Sequence, residues 1–232
     1  METRLNKALA SCGICSRRTA DELILGGLVK VNGEIVKEPF IRVDLMKDKL
    51  EVQGYKKVKP TPKSYYILNK PKGFICSSVR QKQERLVIDL FPETEKHLFT
   101  VGRLDKDSTG LIIVTNDGDF ANEVIHPSRD ITKEYLVKLS KEVFDEDLIA
   151  LSQGRYVEGS YVKPHRVVKV RRGTVKIALK QGKKREVRVL CEKAGLEVLE
   201  LTRIRIGSLH LGNLPLGHYK TMTAQDKEAI FA

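Results

Sequence analysis

The stretch that decides the reading is Val101-Gly102-Arg103-Leu104-Asp105-Lys106-Asp107-Ser108-Thr109-Gly110-Leu111, followed directly by Ile112-Ile113-Val114-Thr115. Apolar runs at Leu98–Val101 and Leu111–Thr115 read as two short strands, and the polar residues between Gly102 and Gly110 read as the loop joining them. Both glycines allow tight backbone turns. The loop projects two carboxylates, an arginine and two hydroxyls from a rigid support, which is where reactive groups tend to sit. An ordinary polar hairpin loop, for which Asp, Ser and Gly are common residues, is a reading of at least equal weight. The spacing Asp105-x-Asp107-x-Thr109-Gly110 also mimics the start of a calcium loop. Its closing position falls on Asn116, which cannot chelate like a Glu, and the flanks read as strands, so calcium is rejected.

Further strand patterns lie at Tyr65–Leu68, Glu134–Leu139, Arg166–Val170, Val175–Leu179 and Leu199–Ile206, and helical ones at Asp119–Ile125, Phe144–Leu151 and Val187–Ala194. Residues 64–232 thus read as an α+β domain with a mixed, mainly antiparallel sheet.

Toward the N-terminus the pattern changes. Leu5, Ala8, Leu9 and Cys12 recur at helical spacing, with Gly13 to stop the helix. Ser16 is a good N-cap for a second helix carrying Ala20, Leu23 and Ile24, ended by Gly26-Gly27. Leu28–Val31 and Glu34–Val36 flank Asn32-Gly33, the strongest short hairpin signal. A further strand is expected at Lys49–Val52. These elements make a small α/β module over residues 1–58, and Lys59-Pro60-Thr61-Pro62-Lys63 reads as a stiff linker over 59–63.

The 232 residues carry 42 Lys+Arg against 30 Asp+Glu, a formal net charge of +12, with 41% hydrophobic residues. That mixture is too apolar for wholesale disorder. The longest apolar runs are far too short to span a bilayer, and Met1–Lys7 is polar, without a secretory core. The expectation is a soluble cytoplasmic protein with an acidic partner, nucleic acid being the default. Two places concentrate the charge. Arg4, Lys7, Arg17 and Arg18 sit on or between the first two helices. Residues 163–188 contain Lys163, Arg166, Lys169, Arg171, Arg172, Lys176, Lys180, Lys183, Lys184, Arg185 and Arg188, with Glu186 the sole acid. A one-signed run of this length is unfavourable to assemble without a polyanion to neutralise it, although a solvated sheet face competes as an explanation.

There is no G-x-G-x-x-G and no Walker loop, so dinucleotide and P-loop chemistry lack their cradle. The 5 His are scattered without metal-ligand spacing. Cys12-Gly13-Ile14-Cys15 could be a redox pair or half a zinc site, but no long helix follows it in a βαβ unit and no second close pair exists. It reads as small half-buried side chains in a helix–helix turn, without disulfides. No metal and no cofactor are expected.

The motif set resembles the RluA/RsuA group of pseudouridine synthases. Gly102-Arg103-Leu104-Asp105-x-x-Ser108-x-Gly110-Leu111 looks like its signature. Ile67–Gly73, Lys133-Glu134-Tyr135, Gly182–Arg188 and Leu201–Gly207 resemble its other motifs, in order. Gly13-x-Cys15-Ser16-Arg17-Arg18 and Val31-Asn32-Gly33 give residues 1–58 the look of the RNA-binding module shared with ribosomal protein S4. The arrangement is that of the RsuA/RluB branch. One departure is Val189-Leu190 after Arg188, where many relatives place a further arginine.

The resemblance implies isomerisation of uridine to pseudouridine in ribosomal RNA or a subunit precursor, with large-subunit RNA favoured. The target base would be flipped out of its stack. Asp105 would be the catalytic residue, as nucleophile at the sugar or base at C2′. Arg188 would be the cation beside it, Tyr135 would stack on the uracil, Arg103 would contact the substrate and Lys70 would bind substrate or support the loop. Lys183, Lys184 and Arg185, with Arg4, Lys7, Arg17 and Arg18, would hold RNA phosphates. No cofactor or membrane is implied, and a monomer is expected. The competing readings are a non-catalytic ribosome-assembly factor on the same fold and an RNA methyltransferase with the same N-terminal module. The intact Asp105, Tyr135 and Arg188 set speaks against the first and the missing glycine-rich loop against the second.

Overall fold

The computed structural model describes residues 2–55, 58–80, 83–95 and 97–232. The chain divides into two compact units, one formed by Met1–Ser64 with Glu93–His97 and Asn116–Gly118, the other by Tyr65–Pro92, Leu98–Thr115 and Asp119–Ala232. Met1, Lys56 and Lys57 of the expected 1–58 module lie outside the described residues.

In the first unit, β1 (Thr3–Arg4) leads into α1 (Leu5–Ser11) and α2 (Arg17–Leu25). The Ser16 side chain accepts from the Thr19 N–H at 3.2 Å, the N-cap that the sequence predicts. β2 (Val29–Val31) and β3 (Glu34–Ile35) form the expected hairpin, with Asn32 at φ 52° and Gly33 at φ 90°, a primed turn. β4 (Arg42–Val43) pairs with β1, and β5 (Leu50–Val52) with β2. Leu5, Leu9, Ala20, Ile24, Val29 and Val43 are buried together between helices and strands. The Lys59–Lys63 segment is neither helix nor strand, and Thr61 N–H donates to Ser11 O at 3.2 Å. Burial pushes the Cys12 and Cys15 thiols up, the opposite of an activated redox thiol.

The second unit begins with β6 (Tyr65–Lys70), β7 (Phe74–Ile75), β8 (Arg85–Leu86), β9 (Phe99–Val101) and β10 (Thr109–Thr115). α3 (Gly118–Ile125), β11 (Lys133–Leu139) and α4 (Asp145–Ser152) follow. Next come β12 (Arg155–Val157), β13 (Ser160–Val162), β14 (Arg166–Arg171), β15 (Thr174–Leu179) and α5 (Glu186–Lys193). The chain closes with β16 (Val198–Ile206), β17 (Leu209–His210), β18 (Tyr219–Thr221) and α6 (Ala224–Phe231).

A nine-stranded sheet runs β14-β15-β11-β16-β10-β6-β18, with β17 added to β16 and β9 to β10. Within it only β10–β16 is parallel, so the sheet is mixed and mainly antiparallel, as expected. β10 lies in its middle and is covered on both faces, which explains its unbroken apolar run. Ile112 and Val114 face one core with Tyr66, Val137 and Ile177, while Leu111 and Ile113 face another with Ile67, Ile206 and Ile230. All seven strands and three helices expected over 64–232 form, each within a residue or two of its predicted ends. No described helix is long and apolar enough to cross a membrane.

Gly110 shows why glycine is needed beside the loop. It sits at φ +106° opposite Arg203 in the parallel β10–β16 pair, and a Cβ there would lie 2.3 Å from Arg203 O. Only the missing side chain lets the two backbones approach.

Candidate active site

The residues between β9 and β10 form the predicted loop, closed by Ser108 N–H donating to Asp105 O at 3.1 Å. It borders a cleft of about 1010 Å³ in the second unit, whose walls include Arg103, Asp105, Lys133, Tyr135, Glu186 and Arg203. Asp105 is half-buried and Arg103 exposed at the rim. Lys183, Lys184 and Arg185 line the same cleft and are exposed, so the late basic motif does reach the carboxylate loop.

Tyr135 lies on β11 with Arg203 as its cross-strand neighbour on β16. A register shift between Glu134 and Tyr135 skips Ile204, and this β-bulge makes Arg203 the partner of Tyr135. Arg203 is 3% exposed, and its Nε donates to Leu111 O at 2.7 Å. Burial pushes the Tyr135 phenol up, with the Arg203 guanidinium beside it acting in the opposite sense, so the phenol stays protonated near neutrality.

Lys70 departs in one respect: of its two expected roles, substrate binding and support of the loop, its contacts fit the second. It is fully buried, and its ammonium donates to the carbonyls of Ser108 at 2.8 Å, Asp105 at 3.0 Å and Pro71 at 3.2 Å. It does not line the cleft, because β6 runs beside β10 and carries it in behind the loop, where it clasps the loop carbonyls. Burial lowers its pKa.

Arg188 also departs. Instead of facing Asp105, its Nη2 pairs with Asp107 at 3.0 Å and its Nη1 donates to Val198 O at 3.3 Å. Arg185 reaches the same carboxylate at 3.6 Å. The start of α5 points these two guanidiniums at Asp107, which ties the loop to α5. The basic run over residues 163–188 is accordingly less one-signed than its sequence. Glu142 meets Lys169 and Arg172, Asp130 meets Lys180, and Asp107 meets Arg185 and Arg188. Carboxylates distant in sequence neutralise part of the run without any polyanion.

Lys133, Glu186 and Arg203 were quoted within motifs but given no role by sequence reasoning. A signal was available for Arg203, a charged residue at an inward position of an apolar strand. Glu186 is 4% exposed and accepts from Lys183 N–H at 3.1 Å. Burial raises its carboxyl to about 7, against the opposing pull of that N–H, Lys133 and Arg203. A folded pKa above the unfolded one means the charged form is penalised in the native state. Stability is therefore lost as pH rises from about 4.5 through 7. Glu186→Gln keeps the acceptor and removes the penalty. Its advantage over wild type in urea unfolding should grow by on the order of 3 kcal/mol between pH 4.5 and pH 8. A pH-independent difference would contradict a buried, charged Glu186.

In the first unit, Arg4, Arg17 and Arg18 are exposed and Lys7 is half-buried. The Arg4 guanidinium lies 5.7 Å from the centre of the Phe40 ring.

Comparison with known proteins agrees with this anatomy. Residues 64–193 match the family model described as RNA pseudouridylate synthase, and residues 3–48 match the S4 domain. A putative chloroplast ribosomal large subunit pseudouridine synthase, SVR1 of Arabidopsis thaliana, is 42% identical over 98% of this chain. The chain spans 60% of that protein's length. Ribosomal large subunit pseudouridine synthase B of Bacillus subtilis is 34% identical, covering 99% of this chain and 96% of its own. A crystal structure of a pseudouridylate synthase superposes with a TM-score of 0.71 at 28% identity, covering 98% of this chain and 99% of that one.

Proposed function

Because the chain belongs to the RNA pseudouridylate synthase family, we propose that it isomerises uridine to pseudouridine in ribosomal RNA, with Asp105 carrying the reaction. The observation that supports this most directly is the convergence of Asp105, Tyr135 and a cationic rim on one cleft. In the reaction the C1′–N1 bond breaks, the uracil turns, and a C1′–C5 bond forms. N1 gains a proton and C5 loses one, so no external group is consumed. Asp105 acts on the ribose of a uridine flipped into the cleft, as nucleophile at C1′ or base at C2′. The protonated Tyr135 ring supplies a stacking face for the uracil. Arg103, Lys183, Lys184 and Arg185 hold flanking phosphates.

Residues 1–58 act as the RNA-binding domain, 59–63 as linker and 64–232 as catalytic domain. Arg4, Lys7, Arg17 and Arg18 add phosphate contacts, and tethering raises the effective concentration on RNA. The reading implies a cytoplasmic monomer working on large-subunit RNA or its precursor. Purified chain incubated with ribosomal RNA transcripts should create a new reverse-transcription stop after carbodiimide adduct formation, at one or a few uridines. RNA without any new stop would refute the reading.

A further inference from the structure

The β12–β13 hairpin carries a feature that the reaction does not use. Its turn residues Glu158 and Gly159 sit at φ 47° and 76°, a two-residue primed turn that sets the register. Val157 and Val162 point inward and are buried in the main core. Tyr156 and Tyr161 lie directly opposite each other on the outward face, 64% and 51% exposed. Their rings pack edge to face, with centroids 5.4 Å apart. At the tip of the same hairpin Ser160, next to Tyr161, lines the Asp105 cleft. The Lys193 ammonium donates to Tyr156 O at 2.7 Å, which brings positive charge to the hairpin's other strand.

A cross-strand aromatic pair stabilises a hairpin by itself, but that role does not require both rings to stand exposed on a hairpin whose tip reaches the cleft. We propose that Tyr156 and Tyr161 form a stacking platform for an unpaired base of the substrate RNA, next to the uridine flipped into the cleft. Single-stranded RNA is recognised by aromatic faces on which splayed bases stack. Ser160 reaches the cleft from the inward face it shares with Val157, so a strand leaving the cleft would cross the hairpin tip to meet Tyr161 on the outward face. This inference rests on the uridine-isomerising reading of the cleft.

Tyr156→Leu/Tyr161→Leu keeps apolar cover on the hairpin and removes the π faces. On large-subunit ribosomal RNA tritiated at uridine C5, its KM and Kd should rise about tenfold, within the range of one base–aromatic stack. Its kcat should hold, and Tyr156→Phe/Tyr161→Phe should restore KM. Unchanged KM and Kd would overturn the platform. The chain contains no Trp, so Tyr161→Trp gives a single fluorescent reporter in the folded protein. Its emission should be quenched by single-stranded RNA in step with binding and left unchanged by fully paired RNA. No quenching, or equal quenching by duplex, would overturn the platform even if the Leu variant fails to fold. Wild-type protein that binds RNA but releases no tritium would instead refute the reaction, leaving the fluorescence to judge the platform.

Discussion

Lys70→Met should lower the melting temperature by about 10 °C and cut kcat severely, although Lys70 is fully buried and lies outside the cleft lining. Three carbonyls, of Ser108, Asp105 and Pro71, converge on its ammonium at 2.8 to 3.2 Å. Burying an ammonium costs several kcal/mol, but charge-assisted bonds contribute roughly 1.5–3 kcal/mol each, so three of them win. Methionine matches the stem but removes the ammonium from all three carbonyls, leaving Asp105 O only the Ser108 N–H at 3.1 Å, a net loss of about 2–4 kcal/mol. Because two of those carbonyls belong to the Asp105 loop, the loss falls on the placement of the carboxylate proposed to carry the reaction. Calorimetry with single-turnover kinetics checks both effects. A Tm within about 2 °C of wild type with unchanged kcat would mean that other groups hold the loop.

Lys70 marks the point where sequence reading stops. Tyr65–Leu68 is legible as a strand, yet whether Lys70, just past its predicted end, faces substrate or the back of a loop depends on which strand lies beside it. The same limit applies to the two arginines. Arg188 sits in a recognisable motif and was expected beside Asp105, but the start of α5 turns it to Asp107. Arg203 reaches the cleft because a β-bulge skips Ile204, an event no spacing rule announces. By contrast, the Gly102–Gly110 loop, the Asn32-Gly33 hairpin and the Ser16 cap were readable, because each depends on local backbone chemistry.

The elements that went unread share a cause. The β12–β13 hairpin turns through Glu158-Gly159, a weaker signal than Asn-Gly, and its strands are three residues each. The Tyr219–Thr221 strand is equally short and gains its identity only by pairing with β6. The C-terminal helix did leave a local mark: Thr223 and Asp226 form a capping box, with Asp226 N–H donating to Thr223 Oγ1 at 3.1 Å. The charge of residues 163–188 misled in the other direction. Glu142, Asp130 and Asp107 come from elsewhere in the chain to meet it, so a run that looks one-signed in sequence is partly compensated in the fold.

Asp105 remains the point on which the function turns. It is the half-buried carboxylate at the mouth of a cleft whose other walls offer a protonated phenol and cations, and its backbone is clasped by Lys70. Asn is the same size but cannot attack C1′ or take a proton from C2′. The substitution should therefore leave RNA affinity intact while removing the chemical step, a loss of roughly 10⁴-fold or more in kcat. The direct measurement is tritium release from ribosomal RNA labelled at uridine C5, with no added cofactor. Wild type should release label, whereas Asp105→Asn should bind the RNA equally well and release none. Release by Asp105→Asn at the wild-type rate would contradict the account.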